Sequence, residues 1–462
     1  MAFAILMRVP FWGTPLTSDE GGYAEVARMW EHSGTLYRDI WVDRPQGLIL
    51  IFRGILHLGG GSPEVMRAVA AGVAALAVLS TMLLTRRLAG RITAIVSGLL
   101  MATVGASPFL ESFTLSGELL ASLVAICSLL AFVHYLERGH YGLLALAGLL
   151  TGCAMMIKQS GFDAGLATLL FLVVTRRKEA VRSIGIFIAA AAVPVSLCAL
   201  TAPFNDWWYA VVTYRVSGDS VATGSFLHRL ALFGISLGPA AKGLALLALL
   251  AAVGWRRAPL LVKLWLGTSA LGVVGGGSFH FHYYIQLVAP LSVLAGIGAL
   301  RLAKVPRVVG FACAGVAAAT LVFTVPLWFA SAHAQTKKVW PRDHHLVYDK
   351  ALVSYIKAHT GPAARIFLLW ADADVYYLAN RDPALQYLWE RNIAAVPGAL
   401  SGARSMLAQQ IPSLVVEVQK PHTLDKTGRT ARILKEEYRL IAVVESVPIY
   451  RPLRNQPLIV PE

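Results

Sequence analysis

Apolar stretches of about twenty residues recur between residues 64 and 330, and each is long enough to cross a hydrocarbon core of about 30 Å as a helix. Ten of them read as full spans, near 64–85, 92–110, 119–137, 141–157, 160–175, 183–203, 236–254, 260–276, 283–300 and 308–330. Met1–Trp12 is too short to cross and carries Arg8, so it reads as the last part of a first span, about the eleventh in all, in a chain with a shortened N-terminus or a misplaced start. It lacks the basic region and small-residue cleavage site of a secretory signal peptide. With 56% hydrophobic and only 15% charged residues, water is not the main solvent, and an all-α polytopic bundle is expected.

The net charge of +15 would suggest nucleic acid if it lay on one soluble face, but it is spread over short connections between spans. The basic clusters are Arg86, Arg87 and Arg91; Arg138; Arg176, Arg177, Lys178 and Arg182; Arg256, Arg257 and Lys263; Arg301, Lys304 and Arg307. Every second connection is positive, so these face the cytoplasm, while 14–63, 111–118, 204–235, 277–282 and the tail after Ser331 face outward. Cys127, Cys153, Cys198 and Cys313 fall inside spans and offer no exported disulfide.

The long segment 14–63 is acidic and aromatic. Thr17 and Glu20 have capping-box spacing, and Tyr23, Val26, Ala27 and Trp30 recur at helical intervals opposite Glu25, Arg28 and Glu31, as expected of a helix lying on the membrane surface. A second helix runs from Pro45 to Leu58 and stops at Gly59–Gly61. After about residue 333 the chain becomes charged, with strand-like runs at Arg365–Trp370, Ser413–Val418 and Leu440–Ser446 and helical patterns at Val347–His359 and Gly402–Gln410. The expected organisation is a membrane domain over 1–332 and a small extracytoplasmic α/β domain over 333–462.

Acids gather in the outward segments: Asp19 and Glu20, Asp39 and Asp43, and Glu118 at the mouth of a span. Asp19 and Glu20 suit the positive end of a helix, which leaves capping and chemistry both open for that pair. Basic residues near the same interface are Arg44, Lys158, Arg215 and Lys242, each equally able to snorkel to lipid headgroups. His280 and His282, with an acid, could hold a divalent cation; with Tyr283 they also fit an interfacial aromatic belt or a substrate contact. Trp207, Trp208, Tyr209 and Tyr214 fit such a belt, a stack on sugar or a clasp on a lipid chain, and Asp372 and Asp374 spell a weak D-x-D pattern.

The run Pro15–Tyr23 (PLTSDEGGY) followed by Arg44–Gly47 (RPQG), with Met156–Gln159 (MIKQ) and His280–Tyr284 (HFHYY), resembles the GT-C membrane glycosyltransferases, nearest the bacterial protein O-mannosyltransferase and aminoarabinose-transferase members, in a layout covering roughly residues 8–330. That resemblance implies a multi-pass plasma-membrane protein with an extracytoplasmic site, a polyprenyl-phosphate sugar donor, a cell-envelope acceptor, and Asp19 as catalytic base in an inverting transfer. It makes Glu20, Asp43, Arg44, Glu118, Lys158, Gln159, Arg215, His282 and Tyr283 the substrate-binding candidates. The family often has two prolines where this chain has Arg44–Pro45–Gln46. A carboxylate can take the proton of an attacking hydroxyl, and a departing lipid phosphate needs positive charge more than an acid. The rival class is a transporter or flippase of lipid-linked sugars, which would place its ionisable residues near the midplane on broken helices.

Overall fold

Gly148 and Gly152, one turn apart, let the helix Tyr141–Ile157 lie directly on Ala180–Leu200, because a methyl group on either would meet the backbone carbonyls of Phe187 and Ala191. Gly254 and Gly298 make a matching seam between Phe226–Gly254 and Ile285–Arg301. Lipid tails are as apolar as leucine, so close backbone approach, rather than exclusion of oil from water, holds such helices together.

The computed structural model describes residues 1–32, 34–175, 180–217, 225–275, 277–302, 306–341, 343–370 and 373–454. Arg176, Arg177, Lys178, Lys304 and Asp372, all weighed in the sequence, lie outside that set. Helices stand at all ten places where spans were expected, from Pro63–Ala89 to Pro306–Trp328. Among the described residues, six carry a segment long and apolar enough to cross a membrane: Pro63–Ala89, Gly117–Arg138, Ala180–Leu200, Phe226–Arg257, Phe281–Arg301 and Gly310–Trp328. The apolar helices Arg91–Val104, Tyr141–Ile157, Gln159–Thr175 and Leu260–Gly275 are shorter. The chain is a polytopic helical membrane protein. Basic side chains meet at one set of helix ends, where Arg87 pairs with Glu137 at 3.2 Å and Arg301 donates to the Val253 carbonyl at 3.0 Å. At Ala2–Phe11, Arg8 is buried and donates to the carbonyls of Ala4, Gly105 and Ser112, so it ties this segment to the turn after Arg91–Val104 instead of reaching for headgroups.

The first long connection folds as read, with helices Ser18–Glu31 and Gln46–Gly59. Thr17 and Glu20 form the capping box, and Gly60, at φ 73°, closes the second helix in the left-handed conformation. One expectation fails. Ser18–Glu31 does not present a polar face to water: Glu25 is fully buried, pairs with Arg28, and Arg28 reaches Asp382 of the tail at 2.7 Å. The helix lies between Gln46–Gly59 and the tail helix Ala373–Ala379. Gly21 and Gly22 permit this, since a Cβ at either would strike Asp374 or Trp389. Burial raises the Glu25 carboxyl above its usual range, with Arg28 opposing.

The tail carries one five-stranded sheet, order β2-β1-β3-β5-β4, from β1 (Arg365–Leu368), β2 (Asp382–Pro383), β3 (Leu414–Val416), β4 (Tyr438–Val444) and β5 (Val447–Pro452). β2, β1 and β3 are parallel; β5 runs antiparallel to β3 and forms a hairpin with β4 through Glu445 and Ser446, both at positive φ. A bridge from Trp41 to Tyr387 extends contact back to the first connection.

Candidate functional site

Segments assigned to one side of the membrane by their charge converge on a single cavity of about 430 Å³. The first connection supplies Thr17–Glu20, Tyr23, Asp43 and Arg44, and the turn before Gly117–Arg138 supplies Glu111 and Thr114–Glu118. His280, His282 and Tyr283 come from the entrance of Ile285–Arg301. The tail adds Trp370 and Trp389–Asn392. A neighbouring cavity, also about 430 Å³, shares Glu111, His280, Trp340, Asp343, Glu390 and Arg391 with it and continues toward the helix Phe226–Gly254.

Ion pairing sorts the acids of this cavity. Glu20 is 1% exposed: Oε2 accepts the Thr17 amide at 3.1 Å, and Oε1 accepts the Leu115 amide at 2.7 Å and pairs with Arg67. Its oxygens therefore fasten the first connection to the next span, and it stands as a positioning group rather than a free substrate ligand. Asp43 lies between two guanidiniums, 3.0 Å from Arg44 and 2.7 Å from Arg215. Its backbone carbonyl accepts from Arg215 and, at 2.9 Å, from the Gln159 amide. Glu118 pairs with Lys158, whose ammonium sits 4.1 Å from the centre of the Tyr283 ring. Glu111 lies 2.9 Å from Nδ1 of His282, while Nε2 of the same ring is 3.5 Å from Glu118. Asp19 differs: it lines the cavity, part-exposed, and among the described residues no donor lies within hydrogen-bonding or ion-pairing distance of its carboxylate.

Of the residues singled out in the sequence, Asp19, Glu20, Asp43, Arg44, Glu118, His282 and Tyr283 line the cavity. Lys158, Gln159 and Arg215 stand behind its wall and act on Glu118 and Asp43. Asp39 is exposed and caps the Thr35 amide at 2.9 Å; Lys242 is exposed on a span, over Phe109 and Phe323. Tyr214 is buried against Trp41, and its hydroxyl lies 3.1 Å from Asn392 Oδ1, so it joins the connection after Ala180–Leu200 to the tail.

Arg391, Glu111 and Asn392 were not singled out. Arg391 lines both cavities and donates to Ser278 at 3.0 Å. Glu111 adopts φ 54°, an uncommon conformation for a residue with a side chain, which turns its carboxylate toward His282. Burial, with His282 and Arg391 beside it, holds His280 well below the usual histidine range and therefore neutral. Burial also drives the Tyr23 phenol up; for Arg44 burial works against the charge, and Asp43 with its other anionic neighbours outweighs it and holds the guanidinium charged. As for cations, the rings of His280 and His282 stack 5.5 Å apart, and a separate trio, His345, Asp349 and Asp374, brings donor atoms within 4.8 Å of one another.

Residues 43–203 match the family model of dolichyl-phosphate-mannose-protein mannosyltransferase. No curated protein matches the sequence at a significant level. Among solved structures, ArnT from Cupriavidus metallidurans bound to undecaprenyl phosphate superposes with a TM-score of 0.67 at 15% identity, over 97% of this chain and 96% of that one. The Archaeoglobus fulgidus oligosaccharyltransferase in complex with zinc and sulfate gives 0.59 at 15% identity, over 95% and 71%. Archaeal AglB from the same organism, in complex with an inhibitory peptide and a dolichol-phosphate, gives 0.59 at 13% identity, over 99% and 74%. The chain is thus a membrane protein with the GT-C fold, on the architectural plan that ArnT and the archaeal oligosaccharyltransferase share.

Proposed function

We propose that this protein is an inverting glycosyltransferase that moves a sugar from a polyprenyl-phosphate carrier to a cell-envelope acceptor, on the outer face of the plasma membrane. The observation that carries the reading is Asp19: an acid in the wall of a polar cavity whose carboxylate no protein donor among the described residues engages, beside acids that are each spoken for. Such a group is free to accept a proton from substrate. Two of the similar structures hold a polyprenyl phosphate, which favours the same donor chemistry here. The alternation of basic connections favours the outward orientation.

In the proposed reaction the acceptor hydroxyl donates its proton to Asp19 as its oxygen attacks the anomeric carbon. The bond from that carbon to the phosphate oxygen breaks on the opposite side, so the configuration inverts and polyprenyl phosphate leaves. Arg44 meets the charge growing on the phosphate, and Asp43, Arg215 and Gln159 hold Arg44 in place. Lys158 adds positive potential from behind Tyr283, and Glu118 and His282 fix that side of the wall. The tail, residues 333–462 in this division, closes the acceptor side with Trp389–Asn392.

The deciding experiment is transfer of radiolabelled sugar from a panel of polyprenyl-phosphate donors into membrane acceptors, wild type against Asp19→Asn at equal expression. A fall of about 10²- to 10⁴-fold in the variant is expected for loss of a general base. Unchanged transfer removes Asp19 from the chemistry, and no transfer from any donor favours a transporter of lipid-linked sugars.

A further inference from the structure

Outside the cation pairs of the cavity, three donors meet in the joint between the tail and the first connection. His345 lies in the turn His344–Val347, Asp349 opens the helix Asp349–His359, and Asp374 lies in the first turn of Ala373–Ala379. We propose that they form a binding site for one divalent transition-metal ion, of the zinc class, which fixes the part of the tail that packs against the helix bearing Asp19. The proposal is independent of the glycosyltransferase reading.

Asp374 has no exposed surface, and neither of its carboxylate oxygens meets a hydrogen-bond donor among the described residues. It faces Asp349, itself 2% exposed, with one ligand atom each from Asp349, Asp374 and His345 inside 4.8 Å. The fully buried carboxylate of Asp374, which meets no donor among the described residues and faces a second acid, calls for a shared proton or a bound cation. The imidazole decides the class of cation, because calcium and magnesium take oxygen shells while nitrogen with carboxylate suits zinc and its neighbours. With zinc-to-ligand distances of about 2.0–2.2 Å, tetrahedral ligand atoms stand roughly 3.3 Å apart. A bound ion would draw the trio together by rather more than ~1 Å. Water takes the fourth position.

The site's location gives the ion something to do. Gly21 packs on the backbone of Asp374, and the Ala373 amide donates to Ser18 Oγ at 3.2 Å, so any shift of Asp374 is passed to the helix start that carries Asp19. His345 itself lines the cavity.

The test uses the full chain in detergent, stripped with chelator and titrated with zinc chloride by calorimetry, with bound metal counted by mass spectrometry. The expected result is uptake of ~1 zinc per chain, a higher unfolding temperature on loading, and at least tenfold weaker binding in Asp374→Asn and in His345→Gln. Cobalt in place of zinc should give a visible absorption band that both variants lose. Wild-type protein that stays monodisperse and takes up no zinc at micromolar concentration overturns the proposal in favour of a shared proton, and needs no variant to fold. Uptake that is equal in both variants overturns it as well.

Discussion

Lys158 and Glu118 come from the adjoining ends of two packed helices and form a buried ion pair beneath the ring of Tyr283. Removing one partner of such a pair strands the other charge, whereas replacing both by apolar groups of like size costs far less. Glu118→Leu should therefore destabilise the protein by about 3 kcal/mol, and adding Lys158→Met should recover most of that loss. Unfolding in detergent micelles, followed by tryptophan fluorescence, reads both. Equal stability of the single variant and wild type would mean the pair contributes nothing net.

Arg44 is held by Asp43 on one side and lies 5.7 Å from the centre of the Tyr23 ring on the other. Lysine keeps the charge but lacks the planar fork that can serve Asp43 and a phosphate oxygen together. Arg44→Lys should raise KM for the lipid donor about tenfold, equivalent to about 1.4 kcal/mol, with kcat changed much less. Steady-state kinetics at saturating acceptor separate the two constants.

Gly21→Ala places a methyl group against the backbone of Asp374, where nothing flexible can give way. The tail should loosen from the first connection while the spans stay packed. Limited proteolysis in micelles should cut the variant between the spans and the tail at least tenfold faster, with far-UV helicity unchanged.

His280 is neutral in the folded protein, held below its ordinary range by burial first and then by His282, Arg391, Lys158 and Arg44. Glu111, Asp343 and Glu390 line the same cavities and oppose that effect. Unfolded, the ring takes up a proton as pH falls through about 6.5, so below that point the unfolded state gains protons that the native state does not. Stability should be full above about pH 6.5 and decline as pH drops toward the depressed native value. His280→Asn should flatten part of that slope in unfolding temperatures measured from pH 8 to 5.

The helical frame was legible because a hydrophobic run must pay out about 30 Å of helix before it can turn, and because lysine and arginine mark the ends. Thr17 and Glu20 announced a helix start, and β1, β3 and β4 showed as short apolar runs. β5 did not, since Pro448 and Pro452 argue against a strand between two others; here Pro448 still serves through its carbonyl, which accepts the Glu417 amide at 2.9 Å. β2 has only two residues and no pattern to read. In the candidate site, the clustering of acids near the first connection could be read, but not which acid each cation would take. Arg67 finds Glu20 forty-seven residues away, and Arg215 finds Asp43 over a still longer interval. Arg391 sits in an ordinary polar run and gave no signal. Asp374 was noted only as part of a D-x-D pattern, and nothing in the sequence joined it to His345 and Asp349.

The contact between Ser18 and Ala373 joins positions 355 residues apart. A ribosome making this chain delivers the proposed base early and its enclosing wall only after the ten spans that lie between them have been threaded into lipid. Throughout biosynthesis the growing protein therefore holds Asp19 in an open, unroofed setting, and a premature stop anywhere before the tail yields a membrane-inserted polypeptide with half a cavity. The folding of the tail onto that bundle is what turns an open trough into a closed vessel.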